Sequence, residues 1–65
     1  MLNSNIFHDR ENDRYINFDN VECIEFSTED GLNMATIHLV SGGAFTYTGG
    51  HVHEIRSRWR DYAER

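Results

Sequence analysis

Residues 34–48, MATIHLVSGGAFTYT, and the change of rhythm after them decide the fold. From Met34 to Val40 apolar and polar residues alternate. In an extended chain Ala35, Ile37 and Leu39 then share one face, and Met34, Thr36, His38 and Val40 the other. Ser41-Gly42-Gly43 supplies turn residues, and Ala44 to Thr48, β-branched and aromatic, pairs back as a second strand. Gly49-Gly50 ends the alternation. From His51 the repeat lengthens to about 3.6 residues: Val52, Ile55, Trp59, Tyr62 and Ala63 fall on one helical stripe, and His53, Ser57, Asp61 and Glu64 point away from it. Strands followed by one amphipathic helix define an α+β chain. The helix is expected on one face of the sheet, with Trp59 at the centre of the core.

The same reading extends towards the N-terminus. Thr28 to Asn33 is a hairpin loop in which Gly31 takes a positive φ. In Glu22-Cys23-Ile24-Glu25-Phe26, Ile24 and Phe26 share one face and Cys23 and Glu25 the other. Tyr15-Ile16-Asn17-Phe18 is a further strand, closed by the turn signal Asp19-Asn20. The expected architecture is a three- or four-stranded antiparallel meander with one C-terminal helix on one face. Residues 1–13 show no sustained periodicity and are rich in Asn and Asp. They are expected to form a flexible tail, anchored by Ile6 and Phe7, ahead of one domain over residues 14–65.

A chain of 65 residues holds one domain. At this size folding buries only about 60% of the unfolded chain's surface, so stability is marginal without a disulfide, a metal or a partner chain. The single Cys23 excludes an internal disulfide and fits a reducing cytoplasm. No apolar run approaches the roughly 20 residues of a membrane span, and no signal-peptide pattern is present, so a soluble cytoplasmic protein without a membrane partner is expected. The net charge of −5 disfavours general nucleic-acid binding. That charge is unevenly placed. Residues 1–50 hold two Arg against eight carboxylates, whereas residues 51–65 hold four Arg against three. The chain has no Lys, so its fixed side-chain cations are guanidinium groups suited to bidentate contact with carboxylate or phosphate.

His51-Val52-His53-Glu54 is the most metal-like cluster. In an extended chain the two imidazoles would share a side and could hold Zn²⁺ or Ni²⁺; in a helix they diverge. Further ligands from His38 or His8 are not identifiable, so no metal and no cofactor is expected. Cys23 would need a neighbouring imidazole such as His38 to act as a nucleophile, and mid-strand alternation describes an ordinary half-buried thiol. The glycine doublets lack the spacing and the Lys of a phosphate loop. No catalytic residues, and no enzyme, are expected.

Two surfaces remain. One short helix covers one sheet face, leaving a second that carries Cys23, Met34, Val40 and Tyr15 among Thr36, His38 and Glu25, a mixture typical of subunit interfaces. On the helix, Arg56 and Arg60 stand i, i+4 on one flank beside His53. They either cover the core edge, with Glu54–Arg58 and Asp61–Arg65 pairing along the helix, or receive a carboxylate-rich partner or a phosphate backbone. The partner-binding residues expected are Arg56, Arg60, His53, Glu25, His38 and Met34.

The run Ile16 to Phe26, then Ile37-His38-Leu39 ahead of Ser41-Gly42-Gly43, then a hairpin strand and a helix, resembles the core of LytTR-type DNA-binding domains. It is also similar to small FlbD-like regulatory proteins. This chain departs from the DNA-binding pattern in lacking basic residues in the loops that would meet DNA. The function expected is therefore that of a small acidic, non-enzymatic regulatory protein. It would bind a partner protein as a homodimer, in the manner of accessory proteins or inhibitors of phages and mobile elements. Asp19, Glu22, Glu25, Glu29 and Asp30 would present a negative surface to a basic protein. The alternative is a nucleic-acid-binding module that uses the Arg-bearing helix.

Overall fold

The computed structural model describes residues 5–64. The protein is α+β, with two antiparallel sheets and one C-terminal helix. The larger sheet is a three-stranded meander of β3 (Val21–Glu29), β4 (Leu32–Leu39) and β5 (Ala44–Thr48), in that spatial order. Its register pairs Ile24 with Ile37 and Ile37 with Phe45, and likewise Phe26 with Ala35 and Ala35 with Tyr47. These side chains therefore line one face. The turn between β3 and β4 is tighter than the loop expected over residues 28–33. Asp30 and Gly31 both take positive φ, a two-residue turn matched to strand twist, and pairing continues through Thr28 with Asn33 and Glu29 with Leu32.

The helix, α1 (Gly50–Ala63), packs chiefly over β4 and β5 and buries Val52 and Ile55. Gly49 caps it with φ 69°, a conformation that leads the chain from sheet to helix at no side-chain cost. Trp59 is not the centre of the core. It is half-buried, edge-on to Phe18 at 5.4 Å and stacked with Tyr62 at 5.5 Å. The fully inaccessible apolar side chains are Phe7, Phe18, Ala35, Ile37 and Ile55. Trp59, one turn beyond Ile55, packs against Phe18 and Tyr62 at the margin of the core, whereas Ile55 is buried within it.

The principal correction concerns the segment expected to be a tail. Residues 1–4 lie outside the described residues, but Ile6–Asp9 form β1 and pair antiparallel with β2 (Arg14–Asn17). This hairpin is a second sheet, and β2 does not join the meander. Phe7 and Ile16, directly paired, are buried against the same core as Ile37 and Ile55. Hairpin and helix together cover one face of the meander. After β2, residues Phe18–Asn20 make a 3₁₀ turn whose Phe18 is buried, so the expected strand ends one residue early and the Asp19-Asn20 turn falls where the sequence places it.

Candidate interaction surfaces

The core lies on one side of the meander, and the pairings define the other. Cys23 stands beside His38 and Ala44, Glu25 beside Thr36 and Thr46, and Ser27 beside Met34 and Thr48. Two of the expected apolar members are elsewhere. β4 ends at Leu39, which leaves Val40 in the following turn, and Tyr15 stands on the N-terminal hairpin, its ring stacked on His8 at 4.2 Å. The open face is therefore more polar than its sequence suggests, with Met34 half-buried and Leu32 exposed as its larger apolar side chains. It is laced internally: His38 Nε2 lies 2.7 Å from Glu25 Oε1, and the hydroxyls of Thr36 and Thr46 are 3.4 Å apart. Cys23 is exposed rather than half-buried.

The helix flank resolves into separate roles. The Arg56 guanidinium lies 4.3 Å over the ring of Phe26, so its stem and charge cover the edge of the core. Arg58 Nε lies 3.9 Å from Glu54 Oε2, the expected i, i+4 pair. Arg60 and His53 are exposed, and Arg65, expected to pair with Asp61, lies outside the described residues. The structure thus places Glu25, His38 and Met34 together on the open sheet face. Arg56, Arg60 and His53 lie apart from them on the helix.

His51 and His53 fall in the first turn of α1, where side chains two positions apart diverge by about 200°. His51 is engaged by Glu11 of the β1–β2 turn, Nε2 to Oε1 2.7 Å. His38 lies across the sheet from the helix and His8 on the hairpin, so the four histidines occupy separate surfaces. Among the described residues no group of three or more His, Cys, Asp or Glu is placed to hold a metal ion.

The most constrained polar group is one that periodicity does not reveal. Asp9 is fully buried. Its carboxylate accepts the Asn12 side-chain amide at 2.9 Å, the Asn12 N–H at 3.3 Å and the Tyr47 hydroxyl at 2.8 Å. Arg14 Nη1 lies 3.3 Å from the Tyr47 hydroxyl and 4.0 Å from the carboxylate. The Asn12 amide, with Tyr47 and the Asn12 N–H, holds the Asp9 pKa down to about 2 against the opposing effect of burial. Burial in turn raises the pKa of the Tyr47 phenol. Asn12 is three residues from Asp9, but Tyr47 is 38 residues away, so no local pattern in the sequence points to the network.

Beside this network a groove of about 260 Å³ runs between β2 and the β4–β5 end of the meander, with Ile16, Leu39 and Phe45 as apolar walls and Arg14, Asn17 and Asn20 as polar ones. The Arg14 guanidinium sits 4.1 Å over the Phe45 ring. Tyr15 lines the groove, and Val40, whose N–H donates to the Asn20 carbonyl, adjoins it; both are largely exposed.

These features define a small α+β module built on a three-stranded meander. No protein-family model matches the chain, and neither a curated protein nor a solved structure matches it. Among the described residues no helix is long and apolar enough to cross a membrane.

Proposed function

We propose that this chain is a small acidic, non-enzymatic interaction protein that binds a partner protein and acts as a homodimer. The observation that carries the reading is the one-sided core. Helix and hairpin both cover the same face of the meander, and among the described residues nothing covers the opposite face, where Met34 and Leu32 are set among Thr36, His38 and Glu25. An open sheet face of mixed polarity suits contact with another protein better than it suits enclosure of a substrate. His51, His38 and Asp9 each contact a neighbouring side chain, Glu11, Glu25 and Tyr47 respectively, and Cys23 is an exposed thiol on the open face. A domain this small also gains most from a partner that extends its buried surface.

Size-exclusion chromatography with light scattering, on the chain and on Met34→Glu, tests the reading. The expected result is a dimer mass that shifts to monomer in the variant, because a carboxylate at the centre of a two-fold contact faces its own copy. A monomer mass at every concentration would remove the homodimer.

A further inference from the structure

We infer that the free edge of β3 is a docking site for an extended segment of a basic partner protein, which adds to the meander as a fourth strand. This deepens the interaction-protein reading, on which it rests, by naming the chemistry of the partner.

β3 runs for nine residues and, among the described residues, has a neighbouring strand on one side only. Its other side therefore presents a row of backbone N–H and C=O groups able to pair with an added strand. The two faces flanking that edge differ. On the covered face, α1 packs over β4 and β5, and Ile24 and Phe26 at the edge remain half-buried. An apolar side chain from an incoming strand would complete their burial. Arg56, standing over the Phe26 ring, makes that side unfavourable for another cation. On the open face the same strand presents Glu25 and Glu29, both exposed, with Glu22 exposed at the bulge near its start. The docking strand is thus specified in phase: apolar residues towards Ile24 and Phe26, alternating with Lys or Arg towards Glu25 and Glu29. A second copy of β3 fits this edge poorly, since it would bring its own Glu25 and Glu29 to the same face. The overall charge of −5 favours encounter with a basic segment.

The test is an NMR titration of the whole chain with a short synthetic peptide alternating valine and lysine. Three controls accompany it: a peptide of the same composition with its valines and lysines in separate blocks, and two alternating peptides N-methylated on the valines or on the lysines. The expected result is amide shift changes along Val21–Glu29, loss of binding for the block peptide, and loss for one of the two N-methylated peptides. The exposed double variant Glu25→Gln/Glu29→Gln should weaken binding on the order of tenfold. Equal binding of the block peptide or of both N-methylated peptides would overturn the inference, as would shifts confined to α1 or to the N-terminal hairpin, or no binding at all. A dimer that ignores the peptide removes the edge site alone, and a monomer that binds it along β3 removes the homodimer alone.

Discussion

The hydroxyl of Tyr47 donates to the carboxylate of Asp9 at 2.8 Å across a sequence separation of 38 residues, and this contact fastens the N-terminal hairpin to β5. A buried carboxylate is costly unless its oxygens are matched by donors. Here the matching groups come from three places: Asn12 in the hairpin turn, Tyr47 on β5, and Arg14 just behind them on β2. The Phe7 and Tyr47 rings meet edge-on at 5.7 Å, so the polar contact and the apolar one share a single seam.

Asp9 makes stability acid-sensitive. Its pKa falls from an ordinary 3.8 to about 2 in the folded chain, so below about pH 4 the unfolded chain binds the more protons. The stabilisation is fully present above the unfolded value and is lost as pH falls through about 2. Urea midpoints should decline across that window in the natural chain and decline less in Asp9→Asn. Parallel slopes for the two proteins would show that Asp9 is not the linked group.

Removing the phenol hydroxyl leaves the packing of the ring in place. Tyr47→Phe should therefore cost about 1–3 kcal/mol in urea unfolding, the usual cost of depriving a buried acceptor of a donor. It should also reduce the acid sensitivity, because the Asp9 carboxylate loses one of the hydrogen bonds that hold its pKa down. An unchanged midpoint would mean that the hydroxyl is not needed at the seam.

Core position outranks side-chain size. Ile37 and Ile55 are fully inaccessible, whereas Trp59 is half-buried at the rim. Each Ile→Ala change should cost about 2–5 kcal/mol, comparable to the whole stability of a domain this small, and should collapse the amide dispersion. Trp59→Ala loses aromatic contacts with Phe18 and Tyr62 but opens no enclosed cavity, and it should retain a dispersed spectrum at reduced stability. The reverse order of effects would put the indole back at the centre.

The meander and helix are legible in the sequence because their signals are periodic and local: alternation through Met34–Leu39, Asp30-Gly31 at a turn, and the stripe from Val52 to Tyr62. Of the hairpin, β2 is legible from the alternation at Tyr15–Phe18, but β1 is not, because its inward positions are Phe7 and Asp9. An inward carboxylate breaks the apolar alternation, and its justification, Tyr47, lies far along the chain. The open face differs from its sequence pattern for a related reason. Val40 continues the alternation of β4 on paper, yet its N–H turns to the Asn20 carbonyl and the strand stops at Leu39. Of the anticipated partner-binding residues, the face shared by Glu25, His38 and Met34 follows directly from strand parity. The separate roles of Arg56 and Arg60 depend on where Phe26 lies beneath the helix.

Glu11 and His51 join the hairpin turn to the first turn of α1 at 2.7 Å, with the Glu11 side chain mostly exposed. An exposed contact of this kind contributes little to global stability. His51→Ala should therefore shift the unfolding midpoint only slightly while speeding amide exchange in residues 10–13, which the contact holds against the helix. Unchanged exchange there would show that the Asp9–Asn12 hydrogen bonds order the turn unaided.

Arg56 and Arg60 look equivalent on a helical wheel and both are exposed, yet Arg56 has an aromatic face beneath its guanidinium. Arg56 covers Phe26 at 4.3 Å, and its stem shields the half-buried edge of the core, so Arg56→Ala should destabilise the fold by about 0.5–1 kcal/mol. Arg60→Ala should fall within about 0.5 kcal/mol of the natural chain, as exposed substitutions do. Urea unfolding of both variants separates the roles, and salt-titrated DNA and RNA binding completes the comparison. If the helix were a nucleic-acid surface, both arginines would contribute to a steep salt-dependent affinity, and both variants would reduce it alike. With Arg56 committed to Phe26 and Arg58 beside Glu54, the expected outcome is no such affinity and a stability effect confined to Arg56.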